Sequence, residues 1–348
     1  MNQPFVVGTV QTPVGPVPQV SSSLVWEDRL GTFKARWGVG RMHYAIDSGL
    51  YALGKPDEHS EVLVTANYKM SFDKLREALP GRDLWILALD TKGINVWCAA
   101  GKGTFGTTEL VNRIESSGLA QIVSHHILIL PQLSGPGVAA HQVKKLSGFK
   151  VIYGPIRSRD LPAFLDSGFK ATPGMRLKTF TTMERIVLIP IELVGAMKVG
   201  LILILVLFLS AFLGRLSEGG MNALNHGLFS VLALLMAIFA GAVFTPLLLP
   251  WLPGRAFSLK GFSFGLLVAI LLTVFRWNHG MTWSVRIEIF AWILLIPAVS
   301  AYLGMNFTGA STYTSLSGVR REMRWAVPCQ IGAGMMGLLL WVGAQFIL

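Results

Sequence analysis

Hydrophobic positions change their spacing part-way along the chain. Before about residue 187 they come in short runs broken by polar turns, and beyond it in runs long enough to cross a bilayer. In the first part the pattern predicts strands at 61–66 (EVLVTA), 84–89 (LWILAL) with 94–98 as a partner, 121–123, 127–130 and 149–153. Helices are predicted at 71–79, capped by Ser71, and at 107–117, capped by Thr107 or Thr108. Strands alternating with helices predict a Rossmann-like α/β domain, mostly parallel, with helices on both faces. Its ligand belongs outside the carboxyl ends of the strands.

The second part carries five apolar segments, at about 187–213, 228–249, 257–275, 287–307 and 326–348. Each approaches the roughly 20 residues a helix needs to span about 30 Å of hydrocarbon. An all-α transmembrane domain of five helices is therefore expected over 187–348. Before it come an extended arm at 1–23, interrupted by Pro4, Pro13, Pro16 and Pro18, an α/β domain at 24–170 and a basic linker at 171–186. Lys170, Arg176, Lys178, Arg185, Arg255, Lys260, Arg320, Arg321 and Arg324 fall on one side of the bilayer, against Arg215, Arg276 and Arg286 on the other. The excess of positive charge inside predicts a multi-pass protein of the cytoplasmic (inner) membrane, its α/β domain in the cytoplasm and its carboxyl terminus outside. No signal peptide is evident at the amino end.

Composition agrees. Of 348 residues only 14% are charged and 52% are hydrophobic, with a mean hydropathy of +0.54, which excludes a disordered chain, a disulfide scaffold and an ordinary cytosolic enzyme. The net charge of +11 is dispersed, with no basic run longer than two residues, so anionic lipid is a plainer partner than nucleic acid.

Cys98 and Cys329 are the only cysteines, and neither lies in a CxxC pair, so the chain has no zinc knuckle or iron–sulfur site of its own. The predicted strand ends carry Thr65-Ala66-Asn67, the run from Trp97 to Lys102, the run from Pro131 to Gly137, and Gly154-Pro155. Glycine, proline and small residues at one rim suit a large flat ligand. In Asn95-Val96-Trp97-Cys98-Ala99-Ala100-Gly101-Lys102 a thiol is presented at that rim, where Lys102 and the next helix N-terminus favour thiolate. A Walker A loop is excluded, because Val96 stands where its first glycine belongs. A GxSxG elbow is absent. A cysteine–histidine pair with His125 or His126 is the remaining hydrolytic option.

The segment INVWCAAGKGTFGT resembles the NVWCA(A/G)GK signature of the mercury-methylating corrinoid proteins, the HgcA family. More distantly, the soluble half is similar to the corrinoid subunit of the acetyl-CoA synthase/CO dehydrogenase system. The likeness extends to LVTANYKMSFDKLR upstream and MNFTGASTYTSLSGVRRE before the last span. It implies a corrinoid-binding domain, a cobalamin-type cofactor, and Cys98 as lower axial ligand to cobalt and catalytic residue. It further implies that Asn95, Val96, Trp97, Ala99, Ala100, Gly101 and Lys102, with Thr65, Ala66 and Asn67 beside them, surround the corrinoid. Carriers that use histidine present it in DxHxxG; here Asp57-Glu58-His59 is followed by Val62 at the glycine position, so that route is unsupported. A thiolate pushes electrons toward cobalt, as in thiolate-ligated haem, so a methyl group on the upper face can leave with its bonding pair toward Hg(II); the sequence leaves carbanionic and radical transfer both open. Reducing equivalents are expected from the family's partner, HgcB, a ferredoxin-like protein with two four-iron four-sulfur clusters, and the methyl group from a separate methyltransferase.

In the membrane half Glu192 and Lys198 are expected to snorkel, Cys329 to be a buried small residue, and the polar stretch Asn306, Thr308, Ser311, Thr312, Thr314, Ser315 and Ser317 to form a cytoplasmic loop. No chain of acidic and histidine residues suggests a proton-coupled pump. Methyl transfer to Hg(II) is the leading reading. A corrinoid methyl carrier of one-carbon metabolism and a metal transporter with a cytosolic binding domain are the alternatives.

Overall fold

A computed structural model describes residues 3–215, 219–277, 282–312 and 314–346. The last two residues of the fifth predicted span, Ile347 and Leu348, lie outside them. The chain forms two compact units, Met1–Lys178 and Thr179–Leu348.

The first unit is a seven-stranded sheet: β1 (Val6–Thr12), β2 (Gly15–Val20), β3 (Gly49–Leu53), β4 (Val62–Ala66), β5 (Leu84–Leu89), β6 (Ile127–Leu130) and β7 (Lys150–Tyr153), in the order β1-β2-β3-β5-β4-β6-β7. Strands β5, β4, β6 and β7 are parallel, β3 runs antiparallel to β5, and β1 and β2 form an antiparallel hairpin at one edge. Its helices are α1 (Trp26–Arg36), α2 (Lys69–Glu77), α3 (Val96–Lys102), α4 (Thr107–Ser116), α5 (Leu119–Ile122), α6 (Ala140–Ser147) and α7 (Leu161–Asp166).

The central strands are apolar on both faces because both faces are covered. Val62, Val64, Leu87 and Leu128 pack with Ala99, Leu110, Ile114 and Val143 from α3, α4 and α6. Leu63, Ile86 and Ile129 point the other way, against Phe72 and Leu75 of α2 and Phe164 of α7. The crossover from β4 to β5 therefore uses one face and the return to β6 the other, so the order of the parallel strands reverses between β4 and β6. That is where a doubly wound sheet opens a crevice.

The structure departs from the predicted elements in specific places. Residues 94–98 are not a strand: Asn95 turns the chain into α3. Residues 121–123 are not a strand either, because Gly118 (φ +60°) starts the short α5, which buries Leu119 and Ile122. Helix α2 begins earlier than predicted, after Tyr68 rather than Ser71, and α4 follows Gly106 with no side-chain cap. The stretch expected as an extended arm supplies the β1–β2 hairpin; Pro16 and Pro18 of β2 precede the Gln19 and Val20 positions at which that strand pairs with β3, so neither interrupts that pairing.

Helix α1 has no apolar stripe, and only Asp28 and Ala35 of it are buried. Charge anchors it. Lys69 Nζ lies 2.6 Å from both Asp28 Oδ1 and Asp73 Oδ1, and Arg76 Nη2 2.5 Å from Asp28 Oδ2 and 2.8 Å from Asp73 Oδ1. Arg76 Nη1 also donates to the carbonyls of Ser21 and Ser23, joining the hairpin, α1 and α2. Burial raises the pKa of Asp28, but the hydrogen bonds and charges of Lys69 and Arg76 outweigh it and hold the carboxyl below the usual range. A carboxyl depressed in the folded state stabilises the fold above its unfolded pKa of about 4 and loses that contribution as pH falls through the folded value. Burial pushes the carboxyl of Asp73 up instead and so works against acid loss, and the contribution of Asp28 is read by difference: below about pH 4 the native chain is expected to lose more stability than Asp28→Asn, followed by circular dichroism.

The second unit contains α8 (Thr182–Ile186), α9 (Ile189–Gly214), α10 (Gly220–Phe239), α11 (Thr245–Leu248), α12 (Phe257–Trp277), α13 (Trp283–Asn306) and α14 (Leu316–Gly343), with a π-turn at Ala240–Phe244. Among the described residues five helical segments are long and apolar enough to cross a membrane: Thr182–Gly214, Gly220–Leu248, Phe257–Arg276, Trp283–Ala310 and Ser317–Gly343. Helices α12 and α13 pack closely because Gly261 meets the Ser300 carbonyl and Ala301; a Cβ there would lie 3.0 Å from Ala301 Cα. Arg320, Arg321 and Arg324 belong to the first turns of α14, which Ser315 caps by accepting from the Gly318 N–H at 3.1 Å. Cys329 is exposed on α14, contrary to its expected burial, and Thr308 and Ser311 of the polar stretch are buried.

Candidate functional site

At the carboxyl ends of β4, β6 and β7 the sheet opens into a cleft of about 340 Å³. Leu63, Val64 and Thr65 form part of its floor with Ile129, Leu130 and Pro131; Gly154 to Ile156 close one side, and Asn95, Val96 and Trp97 the other. The cleft therefore sits at the strand-order reversal.

A wired loop places α3 at this rim. Asn67 Oδ1 accepts the N–H groups of Thr91 (3.0 Å) and Gly93 (3.1 Å), and its Nδ2 donates to Asp90 Oδ1 at 3.3 Å. The Thr91 hydroxyl donates to the Ile94 carbonyl at 2.7 Å. Asp90 also pairs with Lys92, whose hydrogen bond is the main cause of its lowered pKa. Asn95 then caps α3, its Oδ1 accepting the Cys98 N–H at 3.0 Å. Gly103, at φ +80°, ends the helix after two turns.

Beneath α3, Ala99 (0% exposed) and Ala100 (4%) are core residues. Their smallness lets the helix approach the loop after β6: a Cβ on Gly137 would lie 3.0 Å from Ala100 Cα and would collide with the Phe105 carbonyl. The outer side of α3 is open. Cys98 is a free, exposed thiol, Trp97 is 42% exposed, and Gly101 and Lys102 face outward.

Of the sequence-predicted residues, the structure puts Thr65, Asn95, Val96 and Trp97 on the cleft and Cys98 next to them in the first turn of α3. It does not bring Ala66, Ala99 or Ala100 to the surface, and Asn67 faces the 90–93 loop. The cleft-lining Ser71, Lys74 and Leu75 of α2, with Ile156, Ser158 and Leu161, escaped sequence reading. Their one available signal was the predicted amphipathic helix, whose position depends on strand order. His125 precedes β6, where its Nε2 contacts the Ser60 carbonyl at 3.0 Å, and His126 follows it; both are at the amino end of that parallel strand. His59 is at the same end, 2.8 Å from the Ser124 hydroxyl. Cys98 lies at the opposite end, so neither His125 nor His126 forms a nucleophilic pair with it, and His59 is not near the cleft.

The segment bearing this site has known counterparts. Residues 40–165 match the family model described as CO dehydrogenase/acetyl-CoA synthase delta subunit. The chain is 33% identical over 136 residues to acetyl-CoA decarbonylase/synthase complex subunit gamma 2 of Methanosarcina thermophila, covering 37% of this chain and 28% of that protein. It is 32% identical over 124 residues to subunit gamma of Methanopyrus kandleri, covering 35% and 26%. The chain spans about a quarter of the length of these curated relatives. The likeness reaches from the loop before β3 to α7, and so takes in the cleft and α3 but none of the apolar helices.

Truncating the cap tests the local wiring. Asn95→Ala is expected to cost about 1 kcal/mol in thermal unfolding, and to loosen the first turn that carries Cys98, read as faster amide exchange at Cys98 and Ala99.

Proposed function

We propose that the chain is a membrane-anchored, corrinoid-dependent methyltransferase that methylates Hg(II), with Cys98 as the cobalt ligand. The observation that carries the reading is the placement of Cys98, a free exposed thiol. It stands beside a half-exposed indole on the rim of an apolar cleft, inside the segment that resembles subunits of acetyl-CoA complexes. The site offers one soft donor, which suits a metal whose equatorial positions a macrocycle already fills. The outward side of α3 leaves open surface around that donor, and the cleft supplies apolar walls.

Each residue then has a physical task. Cys98 supplies the thiolate, and the Asn95 cap holds its backbone on the rim. Trp97 offers a flat apolar face beside it, Lys102 an exposed cation for the corrinoid's polar side arms, and Thr65 a hydroxyl at the strand end. Ala99 and Ala100 act by letting α3 lie close to the sheet. A bound corrinoid would supply a transferable methyl group; Cys98 would hold it through the thiolate, and the electron donation of that sulfur would make the methyl group more available to an electrophilic metal ion.

The five apolar helices would anchor the protein in the cytoplasmic membrane, with the α/β unit inside. A ferredoxin-like partner of the HgcB type would return the electrons the cofactor needs, since this chain's two cysteines are isolated. A methyl carrier of one-carbon metabolism is the second reading, favoured by the names of the matched subunits.

Separate acceptor assays distinguish the two. The full chain in detergent, given methylcobalamin and either Hg(II) or homocysteine in parallel reactions, each corrected for a protein-free blank, is expected to form methylmercury faster than it methylates the thiol. Methylation of the thiol in preference to Hg(II) would contradict the proposal and favour the carrier. Trp97→Ala is expected to weaken corrinoid binding about tenfold in equilibrium titration, the loss of roughly 1.4 kcal/mol of apolar contact. Its melting temperature should hardly change, because the side chain is half exposed.

A further inference from the structure

Polar side chains from several helices meet inside the second unit, where α9, α12 and α14 end and α10 and α13 begin. Arg215, His226, Arg276 and Glu288 are each at least nine-tenths buried. This cluster was not anticipated from sequence, and ionisable groups so placed in an apolar bundle are functional suspects. Arg215 has structural work: it donates to Ser284 Oγ at 2.5 Å and to the Ala344 carbonyl at 3.0 Å, closing the end of α14.

Arg276 is held less completely. His226 Nδ1 lies 2.7 Å from Glu288 Oε2, a contact that places a proton on Nδ1. Arg276 Nη2, 2.9 Å from that nitrogen, therefore faces a donor; its distance to Nε2 is 3.3 Å and to Glu288 Oε2 3.5 Å. Its buried Nε has no partner among the described residues. Glu288, at the long end of ion-pair range, is shared with His226, and the guanidinium also lies 4.8 Å from the centre of the Phe229 ring, so a second anion would complete the hydrogen bonding of Arg276.

Room for one is present. Arg276 and His226 line a cavity of about 460 Å³, with Asn225 at its exposed mouth and Phe229, Leu232 and Val285 as apolar wall. A halide or a single water, about 30 Å³, would leave most of it unfilled, whereas small-molecule sites run from about 300 Å³ upward. The planar fork of arginine matches a carboxylate and can bind it through two hydrogen bonds. We propose that this cavity binds a small carboxylate-bearing anion, its carboxylate on Arg276 and its apolar part against Phe229 and Leu232. The proposal is independent of the chemistry at Cys98.

The test is calorimetric titration and thermal unfolding of the full-length chain in detergent micelles, with butyrate, its neutral analogue butyramide, and chloride. Butyrate is expected to bind and to raise the melting temperature, and butyramide and chloride to do neither. Arg276→Gln should weaken butyrate at least tenfold and Arg276→Lys less. Asn225→Asp, an isosteric change at the exposed mouth that leaves the buried network alone, should weaken it several-fold by repulsion. Equal effects of chloride or butyramide, no binding of butyrate at any soluble concentration, or undiminished binding in Asn225→Asp and Arg276→Gln would overturn the proposal.

Discussion

Cys98→Ala is expected to lower methylmercury formation by more than about a hundredfold while leaving the fold intact. Losing a group that merely orients a metal ligand costs 10–100-fold in many sites, so losing the ligand itself should exceed about a hundredfold. The fold should survive because the side chain is exposed and α3 packs through Ala99 and Ala100. The cap is also retained, since Asn95 accepts from the backbone of residue 98 and not from its thiol. Rate measurements on purified full-length protein with methylcobalamin and Hg(II), beside a thermal melt, check both halves. A rate within tenfold of the native chain would remove Cys98 from the chemistry.

Arg76→Ala carries the largest expected effect on stability. Arg76 is 0% exposed and bonded to Asp28 and Asp73 and to the carbonyls of Ser21 and Ser23. Removing it leaves two buried carboxylates with only Lys69 between them, and breaking a buried pair in this way costs about 3–5 kcal/mol. Because these bonds join the hairpin, α1 and α2, limited proteolysis should cut the variant first between residues 20 and 45. A melting temperature unchanged from native would show the network to be dispensable.

What the sequence revealed and what it hid have separate physical causes. Strands β4, β5 and β6 were legible almost to the residue because helices cover both faces, leaving continuous apolar runs. Helix α1 was not, because its buried contact is Asp28 in an ion network and not an apolar stripe. Residues 94–98 read as a strand, since Ile94, Val96 and Trp97 suit one; the Asn95 cap decided for helix.

At the site, the asparagine, tryptophan and cysteine were legible as types in an unusual order. Ala99 and Ala100 were expected against the cofactor, yet they pack against the sheet, a distinction that only burial reveals. The α2 wall of the cleft depends on the strand order β5-β4-β6, which local pattern does not encode. His226 follows Asn222 and Asn225 at the start of one apolar stretch and Glu288 follows Arg286 at the start of another, 62 positions apart, and only the packing of α10 against α13 brings them together.

The visible spectrum of the full-length chain loaded with methylcobalamin, beside Cys98→Ala and Cys98→His, tests the central claim most directly. A sulfur ligand should give the native protein a cobalt spectrum that alanine abolishes and that histidine replaces with a nitrogen-ligated one. The same spectrum in all three proteins would contradict the account, because the cobalt would then be held by something other than Cys98.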